Sequence, residues 1–406
     1  MSEKQKRILT IVSFALSVII IAGALYFVFF RPAPTPPLDQ VTPGDTTTTG
    51  AFPPAGEFVP TEPEPETDQL RVSDSVARGG QTQTSQLTLE PVENPTLSGN
   101  GQGLNYYNPD DDRFYTIDKD GNAVALSNQQ FPQAENVEWN KDSDKAIIEF
   151  PDGSNILYNF ATKTQITLPK HWEDFDFAPT KDQFAAKSMA LDPDNRWMVT
   201  SNDDGSNVKP FQALGFNEDK VIMSWSPNDQ VVAFSDTAPP RQGSFERKLI
   251  IPIGKNKENY KGLLVEGLFF EPEWSPNGKQ LLYSVTGDYS TLKPLLWVVD
   301  ATPGTMGENR RSLGLNTWVD KCDFSSSTTV YCAVPQNLPP NSGLQRKLYE
   351  NLPDSLYKVD LSTGRTTLVA IPDDLTTMEN LKITKDESLL YFTNKASGRL
   401  ESIKLK

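Results

Sequence analysis

Histidine and cysteine are scarce in this chain of 406 residues, which has one histidine, His171, and two cysteines, Cys322 and Cys332. A zinc site built from several histidines, a four-cysteine site and an iron–sulfur cluster are therefore all excluded. The sequence predicts neither a bound metal nor a cofactor.

Basic residues are also few, because 38 Lys and Arg stand against 53 Asp and Glu and give a net charge of −15. A nucleic-acid binder needs a basic surface to neutralise phosphates, and no basic cluster is longer than Lys4–Arg7. We therefore expect no nucleic-acid partner. The acidic balance favours neutral or basic partners over the polyanions of a cell wall.

An apolar segment without charge runs from Ile8 to Phe30. About 20 such residues span the hydrocarbon core of a bilayer, so residues 8–30 are predicted to form a transmembrane helix. A cleaved signal peptide is the alternative, since Ala22–Ala24 resembles a cleavage site, but the apolar run continues beyond it. Lys4, Lys6 and Arg7 place residues 1–7 in the cytoplasm and the rest of this single-pass chain outside.

Residues 31–80 are rich in Pro, Thr, Gly and Glu, and apolar residues are sparse there. Such a composition buries too little surface to offset the entropy lost on folding, so we predict a disordered, semi-stiff linker. It serves either as a stalk through wall material or as a passive tether. The remaining residues, 81–406, are predicted to form one folded domain.

One phrase recurs seven times in that domain, most clearly as Glu273–Tyr283 and as Ser224–Phe234. Each copy has an apolar anchor before a tight turn, and the spacings between anchors are 42, 38, 48, 49, 50 and 59 residues. These are lengths of propeller blades. The anchors are Leu97, Trp139, Phe177, Trp225, Trp274, Phe324 and Ile383.

Each copy predicts a β-hairpin, because Ser-Pro-Asn-Gly and its variants make a tight turn between two apolar runs. A third strand follows every hairpin, and a fourth often follows that, which predicts an all-β, seven-bladed propeller. Six blades are the alternative, since the Leu97 copy lacks an aromatic anchor. The last unit has three strands, and Gln86–Leu89 is predicted to supply its fourth and close the ring.

The phrase W-S-P-N-G-K-x-L-x-Y at residues 274–283, with a third strand ending in Val-Asp, resembles the TolB-type, WD-like propeller repeat. It is also similar to the propellers of prolyl-oligopeptidase-family enzymes. The resemblance covers residues 86–406 and implies the propeller fold, but it implies little about function, since propellers host many unrelated roles. TolB itself binds envelope partners, which are not carried over to this chain. Two features depart from it: the N-terminal anchor and the lack of a preceding α/β domain.

No catalytic motif accompanies the repeats. The nucleophile elbow G-x-S-x-G of the hydrolase domain is absent, so we expect no enzyme activity. His171 is expected to have a surface or packing role. Asp110–Asp112 and Asp203–Asp204 do not match a calcium loop, and Ser201–Gly205 matches only the first part of a sialidase-type box.

Cys322 and Cys332 flank a short turn and lie symmetrically about Ser327. A hairpin centred there would place them opposite each other, close enough for a disulfide. Oxidation is permitted outside the cytoplasm. Two free buried thiols are the alternative.

Two irregular inserts interrupt the repeat, Pro239–Glu246 and Pro335–Pro353. Loops on a rigid scaffold commonly carry binding, so the second insert is the candidate partner-binding loop, although a tolerated surface insertion is an equal alternative. The sequence thus predicts a membrane-tethered, extracytoplasmic, monomeric binding or scaffold module of the cell envelope, whose partner is an envelope protein or wall polymer. The alternative is an envelope hydrolase or lyase with its site in the propeller channel. The candidate binding residues are Leu344, Arg346, Lys347, Leu348 and Tyr349.

Overall fold

The computed structural model describes residues 73–239 and 247–406, and these form a seven-bladed β-propeller. The predicted all-β fold is confirmed with seven blades and not six. The predicted cytoplasmic segment 1–7, the transmembrane segment 8–30 and most of the linker lie outside the described residues, as do residues 240–246 of the first insert. No helix among the described residues is long and apolar enough to cross a membrane.

The first four blades are antiparallel four-stranded sheets that follow the chain in order. Their strands are β3 Glu93–Leu97, β4 Leu104–Asn108, β5 Arg113–Ile117 and β6 Ala123–Ala125; β7 Asn136–Trp139, β8 Lys145–Glu149, β9 Asn155–Asn159 and β10 Thr164–Leu168; β11 Trp172–Phe177, β12 Gln183–Ser188, β13 Trp197–Asn202 and β14 Lys209–Ala213; β15 Val221–Met223, β16 Ala233–Ser235, β17 Arg247–Ile253 and β18 Leu263–Glu266.

The last three blades continue the pattern, and two of them also receive a strand from the start of the domain. Their strands are β19 Leu268–Trp274, β20 Gln280–Thr286, β21 Pro294–Asp300 and β22 Arg311–Ser312; β23 Cys322–Ser326, β24 Thr329–Pro335, β25 Asp354–Asp360 and β26 Arg365–Pro372, with β1 Gly80–Thr82; β27 Met378–Ile383, β28 Leu389–Asn394 and β29 Leu400–Lys404, with β2 Ser85–Gln86.

The ring closes in the predicted blade, where β2 pairs antiparallel with β29 through Ser85 and Ser402. The closing strand is Ser85–Gln86, which shares only Gln86 with the predicted Gln86–Leu89. Leu87 extends this pairing by donating its backbone N–H to the carbonyl of Leu400 at 2.8 Å. The upstream strand β1 adds a parallel pairing to β26 in the sixth blade. Both ends of the domain are thereby tied together, which protects sheet edges that would otherwise stay open.

Residues before the predicted boundary at 81 also contact the propeller. Asp74 donates its N–H to Gln81, and Ala77 donates to the carbonyl of Lys404, each within 2.9 Å. The Pro- and Thr-rich composition of residues 31–72 ends just before this stretch, and backbone groups from Asp74 onward find partners in the sixth and seventh blades.

The apolar core lies between neighbouring blades, where seven clusters of buried side chains follow one another around the ring. Trp139 and Phe160, for example, stack with ring centroids 5.2 Å apart between the first two sheets. The anchor aromatics therefore pack between blades, because each sheet must bury both of its faces against its neighbours.

The strand order divides the connections between two faces. The first strand of each blade lines the channel, so the turns after first and third strands lie on one face, named here the turn face. Connections between second and third strands, and from one blade to the next, lie on the opposite face, named the insert face.

The short helices are α1 Arg346–Tyr349 and the 3-10 turns Pro193–Asn195, Glu218–Lys220, Asp288–Ser290, Val319–Lys321 and Ser342–Leu344.

Candidate functional site

A ring of polar residues lines the channel near its turn-face end. In six blades, the residue immediately before the anchor occupies this position on the first strand, and in the fourth blade Ser224 directly follows the first strand, β15 Val221–Met223. Four of the seven are acids, one is a lysine and two carry hydroxyl groups. The ring residues are Thr96, Glu138, Asp176, Ser224, Glu273, Asp323 and Lys382.

The acids of the ring are held in a poorly solvated environment. Burial, reinforced by the charge of Asp176, raises the pKa of Glu138 to about 8. Burial alone raises the pKa of Asp176 to about 7, against a lowering contribution from the backbone N–H of Trp225. A carboxyl group that is removed from water resists ionisation, which explains both shifts, and at Glu138 the nearby charge of Asp176 adds to the effect.

Lys382 is the only cation of the ring, and it acts across the channel. Its charge lowers the pKa of Glu138, Glu273 and Asp323, which belong to the second, fifth and sixth blades. At Glu273 the effect of burial is larger than that of Lys382, so the pKa of Glu273 stays well above its usual value. Acids from three blades therefore lie near one lysine from a fourth, which agrees with side chains that point into a shared channel.

Three ring acids also join one blade to the next. Asp176 accepts the backbone N–H of the next anchor, Trp225, at 2.5 Å. Asp323 accepts that of Ile383 at 2.7 Å, and Glu138 accepts that of Phe177. A polar group beside each anchor therefore has a structural role, because a backbone N–H left unpaired at this depth would be costly.

The insert-face end of the channel is a second acidic region. It opens into a cavity of about 450 Å³ that Ile222, Glu271 and Asp320 line together with Arg346. Burial and the charge of Asp320 raise the pKa of Glu271. The structure therefore has two acidic levels along one channel wall, since Glu271 and Glu273 lie two residues apart on β19 and face the same side.

Arg346 brings the second insert to this channel mouth. Its guanidinium lies 2.5 Å from the Asp320 carboxylate and 3.7 Å from that of Glu271. It also stacks over the Trp318 ring at 4.8 Å from the centroid. Of the predicted binding residues, Arg346 is thus already paired within the propeller.

The other predicted binding residues face outward to different degrees. Leu348 is 69% exposed and Leu344 is 42% exposed, while Lys347 is exposed and Tyr349 is half-buried. The backbone beneath them is fixed, because Gly343 is buried and donates its N–H to Leu292 at 2.9 Å. The insert is therefore a folded platform that presents two leucines.

A buried ion pair lies at the base of the insert. The ammonium of Lys321 is 2.7 Å from Asp354, and their side chains are 6% and 0% exposed. The same Asp354 oxygen accepts the N–H of Met378 at 2.7 Å. Through this hydrogen bond, Asp354 joins the sixth blade to the seventh at the point where the insert returns to the sheet.

Exposed large apolar side chains are distributed very unevenly between the two faces. Among the described residues there are 13 such side chains, of which Val124 and Ile166 lie on outer strands and Val208 lies in a turn-face loop. The other ten lie at the insert face: Leu89, Leu191, Trp197, Phe216, Ile222, Phe269, Tyr289, Leu344, Leu348 and Leu375.

His171 does not join the acid ring. It is exposed and precedes the first residue of β11, at the insert-face end, whereas Asp176 lies near the opposite end of that strand. Five residues of strand separate their backbones by roughly 16 Å. Among residues 73–239 and 247–406, no group of three or more His, Cys, Asp or Glu is arranged to hold a metal ion.

Cys322 and Cys332 are direct partners across the β23–β24 hairpin and form a disulfide.

The aspartates of the turns accept hydrogen bonds from backbone groups of the same turn. Asp204, for instance, accepts the N–H of Ser206 at 2.9 Å within its own turn.

Sequence reasoning missed the acid ring, although a signal for it is present. The residue before the anchor is acidic in four of the seven aligned copies. A solvent-exposed strand end has no need for an acidic residue, so the repetition is a signal. The mouth acids give no such signal, since Glu271 and Asp320 come from different structural elements and meet only in the folded ring.

Comparison with known proteins supports the fold. No family model and no curated protein matches the chain. Among solved structures, an oligogalacturonate lyase from Vibrio parahaemolyticus is similar with a TM-score of 0.56 and 12% identity, covering 80% of this chain and 93% of that one. The Cps50 (Swd1) β-propeller domain of Myceliophteria thermophila matches with a TM-score of 0.52 and 11% identity, covering 80% and 100%.

TolB from Acinetobacter baumannii is also similar, with 14% identity over 66% of this chain and 63% of that one, but its TM-score of 0.43 is too low to support an argument. At these identities the likenesses concern the fold alone. The lyase and Cps50 (Swd1) likenesses confirm that the repeats build a β-propeller like those of proteins with unrelated activities.

Proposed function

We propose that this protein is a membrane-tethered, extracytoplasmic β-propeller that binds a partner protein of the cell envelope through its insert face. The observation that carries the proposal is the concentration of exposed apolar side chains on that face. Exposed apolar surface that is concentrated on one part of a domain commonly marks an interaction site. The turn face has a single one among the described residues, Val208.

The second insert is the centre of this proposed surface. Leu344 and Leu348 stand on backbone that the neighbouring blade holds in place. A binding surface on a preorganised platform loses little entropy on association, which favours affinity. The proposed role is therefore binding and not catalysis.

A pull-down from intact, chemically cross-linked cells tests the binding role. The full chain is compared with the Leu344→Ser/Leu348→Ser variant and with Val208→Ser as a matched control on the turn face. We expect the wild type and the control to recover one defined envelope protein. The double variant should recover at least about tenfold less of that protein. Equal recovery with all three chains would contradict the assignment of the face.

The proposed membrane topology has its own test. A membrane-impermeant maleimide should label Thr47→Cys in intact cells, because the linker is proposed to lie outside the cytoplasm. Ser2→Cys should react only after lysis. Labelling of Ser2→Cys in intact cells would overturn the proposed orientation.

A hydrolase or lyase acting at the channel is the second candidate, and the raised pKa values of Glu138 and Asp176 favour it. Carboxyl groups that titrate near neutrality are suited to general acid–base catalysis. Their bonds to the next blade offer a structural explanation for the same residues. A panel of uronate glycans and peptides decides between the two: turnover that Glu138→Gln abolishes would favour the enzyme.

A further inference from the structure

Four first strands carry a bulge near the insert face, and each bulge contains a residue with positive φ. In each case this residue follows the last paired residue before the bulge. In three blades it is Asn94, Asp174 or Asn380, with φ between 48° and 51°. Asparagine and aspartate are the non-glycine residues that tolerate this left-handed conformation best.

The fifth blade places Phe269 there instead, with φ of 56°. A bulky aromatic residue is strained in the left-handed region, and its burial would have to offset the strain. Phe269 is 58% exposed, so burial within this propeller does not supply that compensation. Strain kept at an exposed position is characteristic of binding and active sites.

The local backbone is built for this arrangement. Gly267, two residues earlier, has φ of 146°, and a Cβ there would lie 2.8 Å from the Cβ of Val285. No other residue fits that position without moving the neighbouring strand. The chain therefore turns sharply at Gly267 and directs Phe269 to the insert face.

Phe269 lies beside the channel mouth. It lines a groove of about 210 Å³ together with Ile222, and Ile222 also lines the cavity of about 450 Å³ at the mouth. Ile222 is itself 37% exposed. The two side chains thus form an apolar surface between the groove and the acidic channel mouth.

The charge of the channel mouth limits which ligands can bind next to Phe269 and Ile222. Among the described residues that line the mouth, the carboxylates of Glu271 and Asp320 face one cation, Arg346. Farther in, burial raises the pKa of Glu273 and Asp323, so these acids contribute less negative charge. Carboxylates outnumber cations at the mouth, so a basic ligand is attracted there, and an anionic lipid surface is repelled.

We infer that Phe269 and Ile222 dock an apolar side chain of a basic segment of the partner protein, and that a cationic side chain of this segment enters the channel mouth beside Glu271. This inference rests on the proposed function and specifies its chemistry. Aromatic and basic residues are frequent in binding hot spots, which agrees with an aromatic anchor next to an acidic pocket.

The test uses the purified full chain in detergent and three fluorescent twelve-residue peptides, of alternating Lys and Leu, Glu and Leu, or Lys and Ser. Fluorescence anisotropy is measured for the wild type, Phe269→Asn, Glu271→Gln and the turn-face control Val208→Asn. Binding of peptide to the micelle is common to all four chains, so only differences between them are interpreted.

We expect the Lys–Leu peptide to bind best and Phe269→Asn to weaken it at least about tenfold. Glu271→Gln should weaken it about three- to tenfold and reduce its salt dependence. Phe269→Asn should keep or raise the melting temperature, by about 2 °C, because it restores the residue type of the other bulges. A packing role for Phe269 would lower that temperature.

Several outcomes would overturn the inference. These are tighter binding of the Glu–Leu peptide, equal binding of the Lys–Ser peptide, and unchanged binding by Phe269→Asn. Such results can occur while the Leu344→Ser/Leu348→Ser variant still fails to recover the partner protein in the cellular pull-down. In that case the insert face remains the binding face, and only the site for a basic segment at Phe269 is wrong. If the cellular partner is retained as well, the proposed function fails too.

Discussion

The two faces of the propeller are built by opposite rules. On the turn face, the turns repeat one hydrogen-bond pattern from blade to blade. Ser275 accepts the N–H of Gln280 at 3.0 Å, and Ser226 accepts that of Val231 at 2.9 Å. Thr384 does the same for Leu389 at 3.1 Å. These turns satisfy their own polar groups and leave little for a partner.

The insert face has no such repeat. Its connections differ in length, one carries the insert of residues 335–353, and apolar side chains are exposed along it. The difference indicates that the repeated phrase encodes the fold, while variation on the opposite face carries the proposed binding. Loops on a rigid scaffold are where binding sites usually lie.

The largest effect should come from the base of the insert, which tests how firmly the insert is attached to the propeller. Asp354→Ala leaves Lys321 as an unpaired buried charge, so we expect the free energy of unfolding to fall by about 3–5 kcal/mol. Urea denaturation measures it. Asp152→Ala, which removes an exposed pair with Lys170, should cost at most about 1 kcal/mol. Similar costs for both would mean that the insert is loosely attached.

A smaller effect is expected on the turn face. Ser275→Ala removes the buried hydroxyl that accepts the Gln280 N–H and leaves that group without its partner, at a cost of about 1–2 kcal/mol. Ser362→Ala, in an exposed turn where Ser362 contacts Asp360, is the control and should change stability by at most about 0.5 kcal/mol. Partner binding should survive Ser275→Ala, and its loss would contradict the division between the faces.

The channel links the two faces and should make stability depend on pH. The pKa of Glu138 rises from its ordinary value of 4.5 to about 8, so the folded chain binds more protons than the unfolded chain between these values. Stability must therefore fall as pH rises through this range. Glu138→Gln should raise stability at pH 8, because it removes the cost of ionising a buried carboxyl group, and should change it little at pH 4. An unchanged pH profile of the melting temperature would contradict the raised pKa.

The sequence was sufficient for the architecture because each blade repeats its own local signals. The turn phrase fixed every hairpin, and Gln86 was identified as part of the closing strand because the last unit lacked one. The proposed binding surface was harder to predict. The strain at Phe269 depends on strand register, and the pairing of Arg346 with Asp320 depends on how two blades meet in the ring.

Site-specific photocrosslinking in intact cells tests the central claim most directly. A photoreactive amino acid replaces Leu348 on the insert face in one chain and Val208 on the turn face in another. The account predicts one defined crosslinked protein from position 348 and none from position 208. A defined protein crosslinked from position 208, with none from position 348, would contradict it.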